Sequence, residues 1–155
     1  MWLHYFLIIY IVLWGLVLGT GKQPKIKRRL YIILTFGLFT VLAAFRAENI
    51  GNDTVEYLRI FKDISLAGDM SNYIWRYEIG YLWLNKILSL LTPQPQIILI
   101  VTSVIIMVGF ARFIYKHSQM PWLSTYLFFT LGYYGMSMNT IRLSIAIVII
   151  LFSYD

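Results

Sequence analysis

Apolar residues run almost unbroken over Trp2–Leu18 and again over residues 30–45, and the stretch between them carries Lys22, Lys25, Lys27, Arg28 and Arg29. Each run approaches the length of about 17–25 residues that lets a helix cross a bilayer, so the pattern predicts an antiparallel pair of membrane helices joined by a basic loop. Trp2, Tyr5 and Trp14 suit positions near the lipid–water interface or contacts within the protein. Over residues 46–78 the chain turns polar and holds Glu48, Asp53, Glu56, Asp63, Asp69 and Glu78, six of its seven acidic residues. Within that loop Val55, Leu58, Phe61 and Ile64 recur at helical spacing, with Glu56 and Arg59 placed to pair at i,i+3 and Arg59 and Asp63 at i,i+4. The expectation is a short amphipathic helix lying on the outer membrane surface.

Ile79–Leu91 is apolar but short and contains Asn85 and Lys86, which puts it in the length range of re-entrant or interfacial segments. Pro93 and Pro95 end it, and residues 97–115 then make a clear span finishing near Arg112, Lys116 and His117. Residues 122–136 and 141–152 supply two more. The pattern predicts an all-α fold: a polytopic membrane helix bundle with about five spans, one short re-entrant or spanning segment and an outer-face amphipathic helix. Residues 1–155 form a single transmembrane domain in this reading, with 46–78 as its extracytoplasmic loop.

Composition removes the soluble alternatives. The chain is 59% hydrophobic and 13% charged, with a mean hydropathy of +0.71, where soluble domains carry about 25% charged residues. A net charge of +6 would suit nucleic acid if the cations lined one face of a soluble domain. Five of the thirteen Lys and Arg instead sit between two apolar runs, as in a cytoplasmic loop under the positive-inside rule. The lipid bilayer is therefore the expected partner, and nucleic acid is not. There is no cysteine, and His4 and His117 are far apart, so neither a metal nor a cofactor is expected. The N-terminus lacks the basic start and cleavage site of a signal peptide, so the first run is expected to persist as a helix entering from outside. Ser153, Tyr154 and Asp155 directly follow the last apolar run, and a longer fold is expected of which this chain is the N-terminal part.

Two topologies compete over Ile79–Leu91. If it spans, Arg112 and Lys116 fall outside and Arg142 inside; if it only dips into the membrane, Arg112 and Lys116 are cytoplasmic and Arg142 faces outward with the acidic loop. The charge rule favours the second arrangement.

Arg142 follows Asn139, Thr140 and Ile141 and precedes an apolar run, placing a guanidinium at the membrane edge. A diphosphate is one partner for such a fork of donors; the competing explanation is an arginine snorkelling to the headgroups. Arg46, Asn49, Gly51, Asn52, Asp53, Thr54 and Tyr57 form a compact polar group after the second run, with Gly51 allowing a sharp turn. Asp53 can act as a general base or orient a sugar hydroxyl, or it can cap the helix that follows. Arg76, Tyr77, Glu78, Gly80 and Tyr81 repeat charge, glycine and aromatic at the next membrane entry, where the tyrosines suit either an acceptor groove or the interfacial aromatic belt. Gly19, Thr20, Gly21 and Lys22 lack the spacing of a phosphate-binding loop, and Gly15 with Gly19 fits close helix packing instead. Asn52, Asp53 and Thr54 fit the glycosylation triplet, a pattern common by chance.

Phe45-Arg46, Gly51-Asn52-Asp53-Thr54 with Tyr57, Glu78-Ile79-Gly80-Tyr81 and Asn139-Thr140-Ile141-Arg142, taken in that order, resemble the EpsG family of Wzy-like exopolysaccharide polymerases. The resemblance covers an N-terminal half of the longer family fold, and Leu143 stands where the family tends to have glutamine. It implies a polymerase, glycosyltransferase-like, that joins undecaprenyl-diphosphate-linked oligosaccharides at the outer face of the bacterial cytoplasmic membrane, alongside other exopolysaccharide assembly proteins. On that implication Arg46 and Arg142 bind the lipid diphosphate, Asp53 and Glu78 are catalytic, and Asn52, Tyr57, Arg76, Tyr81 and Asn139 bind substrate. The alternatives are a non-catalytic membrane subunit and a transporter fragment of a polysaccharide export system. A transporter should show two matching halves; a subunit should tolerate loss of Arg46, Asp53 and Arg142 together.

Overall fold

The computed structural model describes residues 2–19, 25–67 and 70–154; Lys22 of the basic stretch, Asp69 of the acidic one and the Thr20–Lys22 part of the glycine-rich stretch lie outside them. Among the described residues there are eight helices and no strand: α1 (Trp2–Gly19), α2 (Lys25–Ala44), α3 (Thr54–Ala67), α4 (Ile79–Leu91), α5 (Gln96–His117), α6 (Pro121–Thr130), α7 (Tyr133–Asn139) and α8 (Ile141–Ser153). Lys25, Lys27, Arg28 and Arg29 open α2 instead of forming a loop. Long basic side chains are good helix formers, and Arg28 reaches across to the C-terminus of α5, where its Nη2 donates to the carbonyls of Tyr115 and Ser118, the latter at 2.6 Å. That contact satisfies carbonyls which the end of a helix leaves without partners.

The centre of the bundle is aromatic. Phe39 on α2 is fully buried between Phe128 and Phe129 of α6 and Tyr134 of α7, whose hydroxyl donates to the Phe39 carbonyl at 3.1 Å. On one side α1 packs against α2 and α6 through Leu7 and Ile11, and Gly15 lets it come close to Trp122. On the other, α5 lies against α2 and α8. Helices α5 and α8 run in the same direction: Gly109 meets Val148, Arg112 lies 5.3 Å over the Phe152 ring, and His117 lies 5.6 Å from Tyr154.

The bundle therefore has two ends. The start of α2, the end of α5 and the end of α8 share the basic one. The end of α2, the start of α5 and the α7–α8 junction share the other, where Gln96 Nε2 donates to the Ala44 carbonyl at 2.6 Å and Arg46 Nη2 to the Met138 carbonyl at 3.1 Å. Helix α4 begins and finishes at this second end, tied by Glu78 to Arg142 at its start and followed by Gln96 against Ala44. It does not carry the chain to the basic end.

Three sequence expectations need correction. Residues 122–136 are not one helix, because Gly132 adopts φ 83 and separates α6 from α7. Helix α3 exists, but its apolar face does not lie on lipid: Leu58 and Phe61 enter the main core and Ile60 and Ile64 pack with Tyr77 and Leu82, while Val55 points outward. The fold covers that face itself, with α4 and residues 70–78. Among the described residues one helix, α5, suffices by length and composition to cross a membrane; α7 and α8 pass only as a pair bent by 119°. About five spans is thus more than helix lengths show. Helix α8, at 13 residues, is about 20 Å long, short of the roughly 30 Å apolar slab.

Among the described glycines the most tightly enclosed is Gly109, where a Cβ would stand 2.4 Å from Val148 Cγ1 and 3.1 Å from its Cβ. A branched side chain cannot swing away from both contacts. Gly109→Ala is expected to destabilise the fold by about 1–3 kcal/mol, with part of that recovered in Gly109→Ala/Val148→Ala. Unfolding of the detergent-solubilised variants measures it, and simple additivity of the two changes would contradict the packing described.

Candidate functional site

The site starts where α2 ends. Arg46 folds back beneath the chain and is only 5% exposed. Its Nη1 donates to the Ala43 carbonyl at 2.9 Å, its Nη2 to the Met138 carbonyl at 3.1 Å and its Nε to Thr54 Oγ1 at 3.3 Å. All three acceptors are neutral, and burial pushes the guanidinium down from its usual pKa. Thr54 in turn donates to the Ile50 carbonyl at 2.7 Å. Between them Gly51 adopts φ 95 and passes so close to Asn139 Oδ1 and Thr54 Oγ1 that a Cβ would stand 2.8 Å from each. The Asn52 N–H donates to Asn139 Oδ1 at 3.0 Å, and the Tyr57 hydroxyl to the Asn139 carbonyl at 3.1 Å. The loop after α2 is thus laced to the end of α7.

The chain then reverses at Thr140, and the first turn of α8 presents Arg142. Arg142 Nη1 and Glu78 Oε2 are 2.8 Å apart, and the guanidinium lies 4.7 Å over the Tyr77 ring. Arg142 Nε is buried without a hydrogen-bond partner among the described residues. The Tyr77 hydroxyl donates to Glu56 Oε1 at 2.9 Å, and Arg76 pairs with the same carboxylate at 3.8 Å. Glu78 opens α4; its own backbone N–H, and then Arg142, hold its carboxyl below the usual range. Burial pushes the Tyr57 and Tyr77 hydroxyls up.

These residues edge a cleft of about 710 Å³ between α4, α5 and α8. Its mouth is polar, with Asp53, Tyr57, Glu78, Thr140 and Arg142, and its wall is apolar, with Leu84, Ile105, Leu143, Ile145 and Ile149. Such a shape can hold an anionic head beside Arg142 and an apolar chain below it. Leu143 makes part of that wall apolar.

Of the residues singled out in the sequence, Asp53, Tyr57, Glu78, Tyr81 and Arg142 line the cleft. Asp53 stands at the start of α3, its carbonyl accepting from the Tyr57 N–H at 3.1 Å while its side chain edges the cleft. Asn52 and Asn139 bind each other behind Tyr57, and Arg46 lies deeper still. Arg76 is on the outside, 74% exposed, against Glu56. Two contributors were not given their roles by sequence. Tyr77 supports Arg142, and Glu56 anchors Tyr77 where pairing with Arg59 was expected. The signal for Tyr77 was its place between Arg76 and Glu78; the irregular chain over residues 70–78 offers no periodicity from which to read its direction. Among the described residues no group of three or more His, Asp or Glu is placed to hold a metal ion.

A family model described as the EpsG family matches residues 29–155. No curated protein and no solved structure matches the chain.

Removing Arg46 strands buried acceptors. Arg46→Ala is expected to cost at least about 1–3 kcal/mol in unfolding, and Arg46→Lys to recover only part, since one ammonium cannot reproduce the planar fork; wild-type stability in Arg46→Ala would refute the clasp. For Glu78 the folded pKa lies below the unfolded one, so its pairing stabilises the protein above the ordinary carboxylate range and is lost as pH falls through the depressed value. The gap in melting temperature between wild type and Glu78→Gln should hold near neutrality and close on acidification. A gap that widens with acid would contradict this assignment.

Proposed function

The chain belongs to the EpsG family, an assignment that points to an exopolysaccharide-related, polymerase-like membrane protein, and from that premise we propose that it joins oligosaccharide repeats carried on undecaprenyl diphosphate. The observation that carries the reading is the α7–α8 reversal, which gathers Arg142, Glu78 and Asp53 at the mouth of a cleft with an apolar wall. In the proposed step an acceptor hydroxyl attacks the anomeric carbon of the donor sugar, the bond from that carbon to the diphosphate oxygen breaks, and the hydroxyl proton passes to a carboxylate. Arg142 neutralises the charge gathering on the departing diphosphate. Asp53 suits the base better than Glu78, whose carboxyl is held below the usual range and serves to position Arg142. Arg46 contributes through the clasp that fixes Met138 and so the start of α8. Tyr57 and Tyr81, 5.8 Å apart and edge to face, line the cleft where a sugar would lie, with Asn52 and Asn139 bracing Tyr57 from behind and Arg76 held outside by Glu56.

For topology we propose one transmembrane domain in a bacterial cytoplasmic membrane, crossed by α1, α2, α5 and α6 with α7, with α8 running beside α5 over its own shorter length. The cleft end and residues 46–78 face outward and the basic end faces the cytoplasm. The positive-inside rule supports this, as does the grouping of Arg28 with the end of α5. The first turn of α1 lies beside Met138 at the cleft end, which favours an outer N-terminus. Favouring the non-catalytic subunit instead is the pairing of both arginines within the protein.

Arg142→Ala and Asp53→Asn are expected to lower polymer yield in producing cells by about 10²-fold, the scale on which removal of one transition-state contact acts. Unchanged polymer length and yield in both would overturn the catalytic assignment and leave the subunit reading. The chain has no cysteine, so single cysteines report topology cleanly: Ala47→Cys should react with an impermeant thiol reagent on intact cells, and Gln119→Cys only after the membrane is opened. Reaction of Gln119→Cys on intact cells would reverse the proposed orientation.

A further inference from the structure

The basic end carries a second cavity that the proposed reaction does not use. It is a groove of about 590 Å³ between α2 and α5, with Arg29 and Arg112 at one end and Thr40 at the other. The distance from Arg29 to Thr40 along α2 is roughly 16 Å at 1.5 Å per residue. Phe36 forms its buried floor, and Ile33 and Val108 stand more than half exposed along it. Gly37 leaves the groove open: a Cβ built there meets no atom within 4 Å.

Charge supplies the second half of the argument. Lys25, Lys27, Arg28, Arg29, Arg112 and Lys116 belong to this end by their positions on α2 and α5, whereas Glu48, Asp53, Glu56, Asp63 and Glu78 all belong to the cleft end. At the cleft end those carboxylates are balanced by Arg46, Arg59, Lys62, Arg76 and Arg142, whereas the basic end carries no carboxylate among the described residues and so attracts anions at the membrane surface. Arg28 is turned toward the end of α5 and lies 5.3 Å over the Tyr115 ring, while Arg29 and Arg112, the latter also over the Phe152 ring, line the groove. A cationic head above an apolar trough matches an amphiphile with an anionic head and a hydrocarbon tail. A free anion would use the arginines alone, and a zwitterionic lipid would gain little from them.

We propose that the groove between α2 and α5 is a binding site for an anionic phospholipid of the leaflet at the basic end. Its phosphate sits against Arg29 and Arg112, and one acyl chain lies along Gly37. The site is independent of the proposed polymerase reaction and holds α2 and α5 together from outside.

The test uses the full chain in detergent, with phosphatidylglycerol, phosphatidylcholine or inorganic phosphate added separately. Native mass spectrometry counts retained lipid, and thermal unfolding reports stabilisation. Wild type should retain phosphatidylglycerol and melt higher with it than with phosphatidylcholine. Arg29→Gln/Arg112→Gln should lose retention several-fold. Gly37→Leu adds a side chain in the trough where a Cβ meets no atom within 4 Å and leaves both arginines in place, so it should lose retention as well while it melts without lipid no lower than wild type. Equal retention of both lipids, or wild-type retention in Gly37→Leu, overturns the proposal. Stabilisation by inorganic phosphate equal to that by phosphatidylglycerol overturns it too, because the trough would then contribute nothing.

Discussion

A buried guanidinium with no carboxylate beside it among the described residues holds this molecule in register. Burying an unpaired charge is costly, and the cost is tolerable only when each nitrogen of the guanidinium finds an acceptor. Arg46 meets that condition by joining three parts of the chain that are remote in sequence: the last turn of α2 at Ala43, the loop before α3 at Thr54 and the end of α7 at Met138. Asn139 strengthens the junction from the other side through Asn52 and Tyr57. Because Met138 and Asn139 are fixed there, the reversal at Thr140 has one direction to take, and Arg142 comes out at the mouth of the cleft. The two arginines therefore divide their work. One is a clasp and the other faces the cleft.

Arg142 is itself held by contacts of different strength. The exposed pairing with Glu78 is worth little as an isolated surface ion pair. The Tyr77 ring beneath the guanidinium adds a contact that water does not weaken as easily. Tyr77 is kept in place by Glu56, and Glu56 by its position on α3, whose apolar face is covered by α4 and residues 70–78. The small unit of α3 and α4 can thus be understood as the support of one side chain. An anion entering the cleft would compete with Glu78 for Arg142 while leaving the ring contact intact.

Much of the fold was legible along the chain. The bounds of α4, and those of α1, α5 and α8 to within two residues, follow from runs of apolar residues ended by charge, proline or glycine. The polar group from Arg46 to Tyr57 was visible because six hydrogen-bonding residues and a glycine crowd into one short stretch. The start of α2 was misplaced, since four basic residues look like a loop until Arg28 is seen bonding to Tyr115 and Ser118. The break at Gly132 was missed because the apolar pattern continues across it, and only the backbone twist shows the interruption.

By itself the sequence determined that this chain is helical, apolar enough for a membrane, and charged unequally along its length, because helix formation and transfer into lipid depend on residue type and local spacing. Which arginine is buried, which carboxylate meets Arg142, and whether α4 returns to the end where it began were decided by the tertiary structure. Those outcomes depend on contacts across separations as large as the 92 residues between Arg46 and Met138. Such contacts follow from how helices of fixed length pack around Phe39, and no local pattern encodes them.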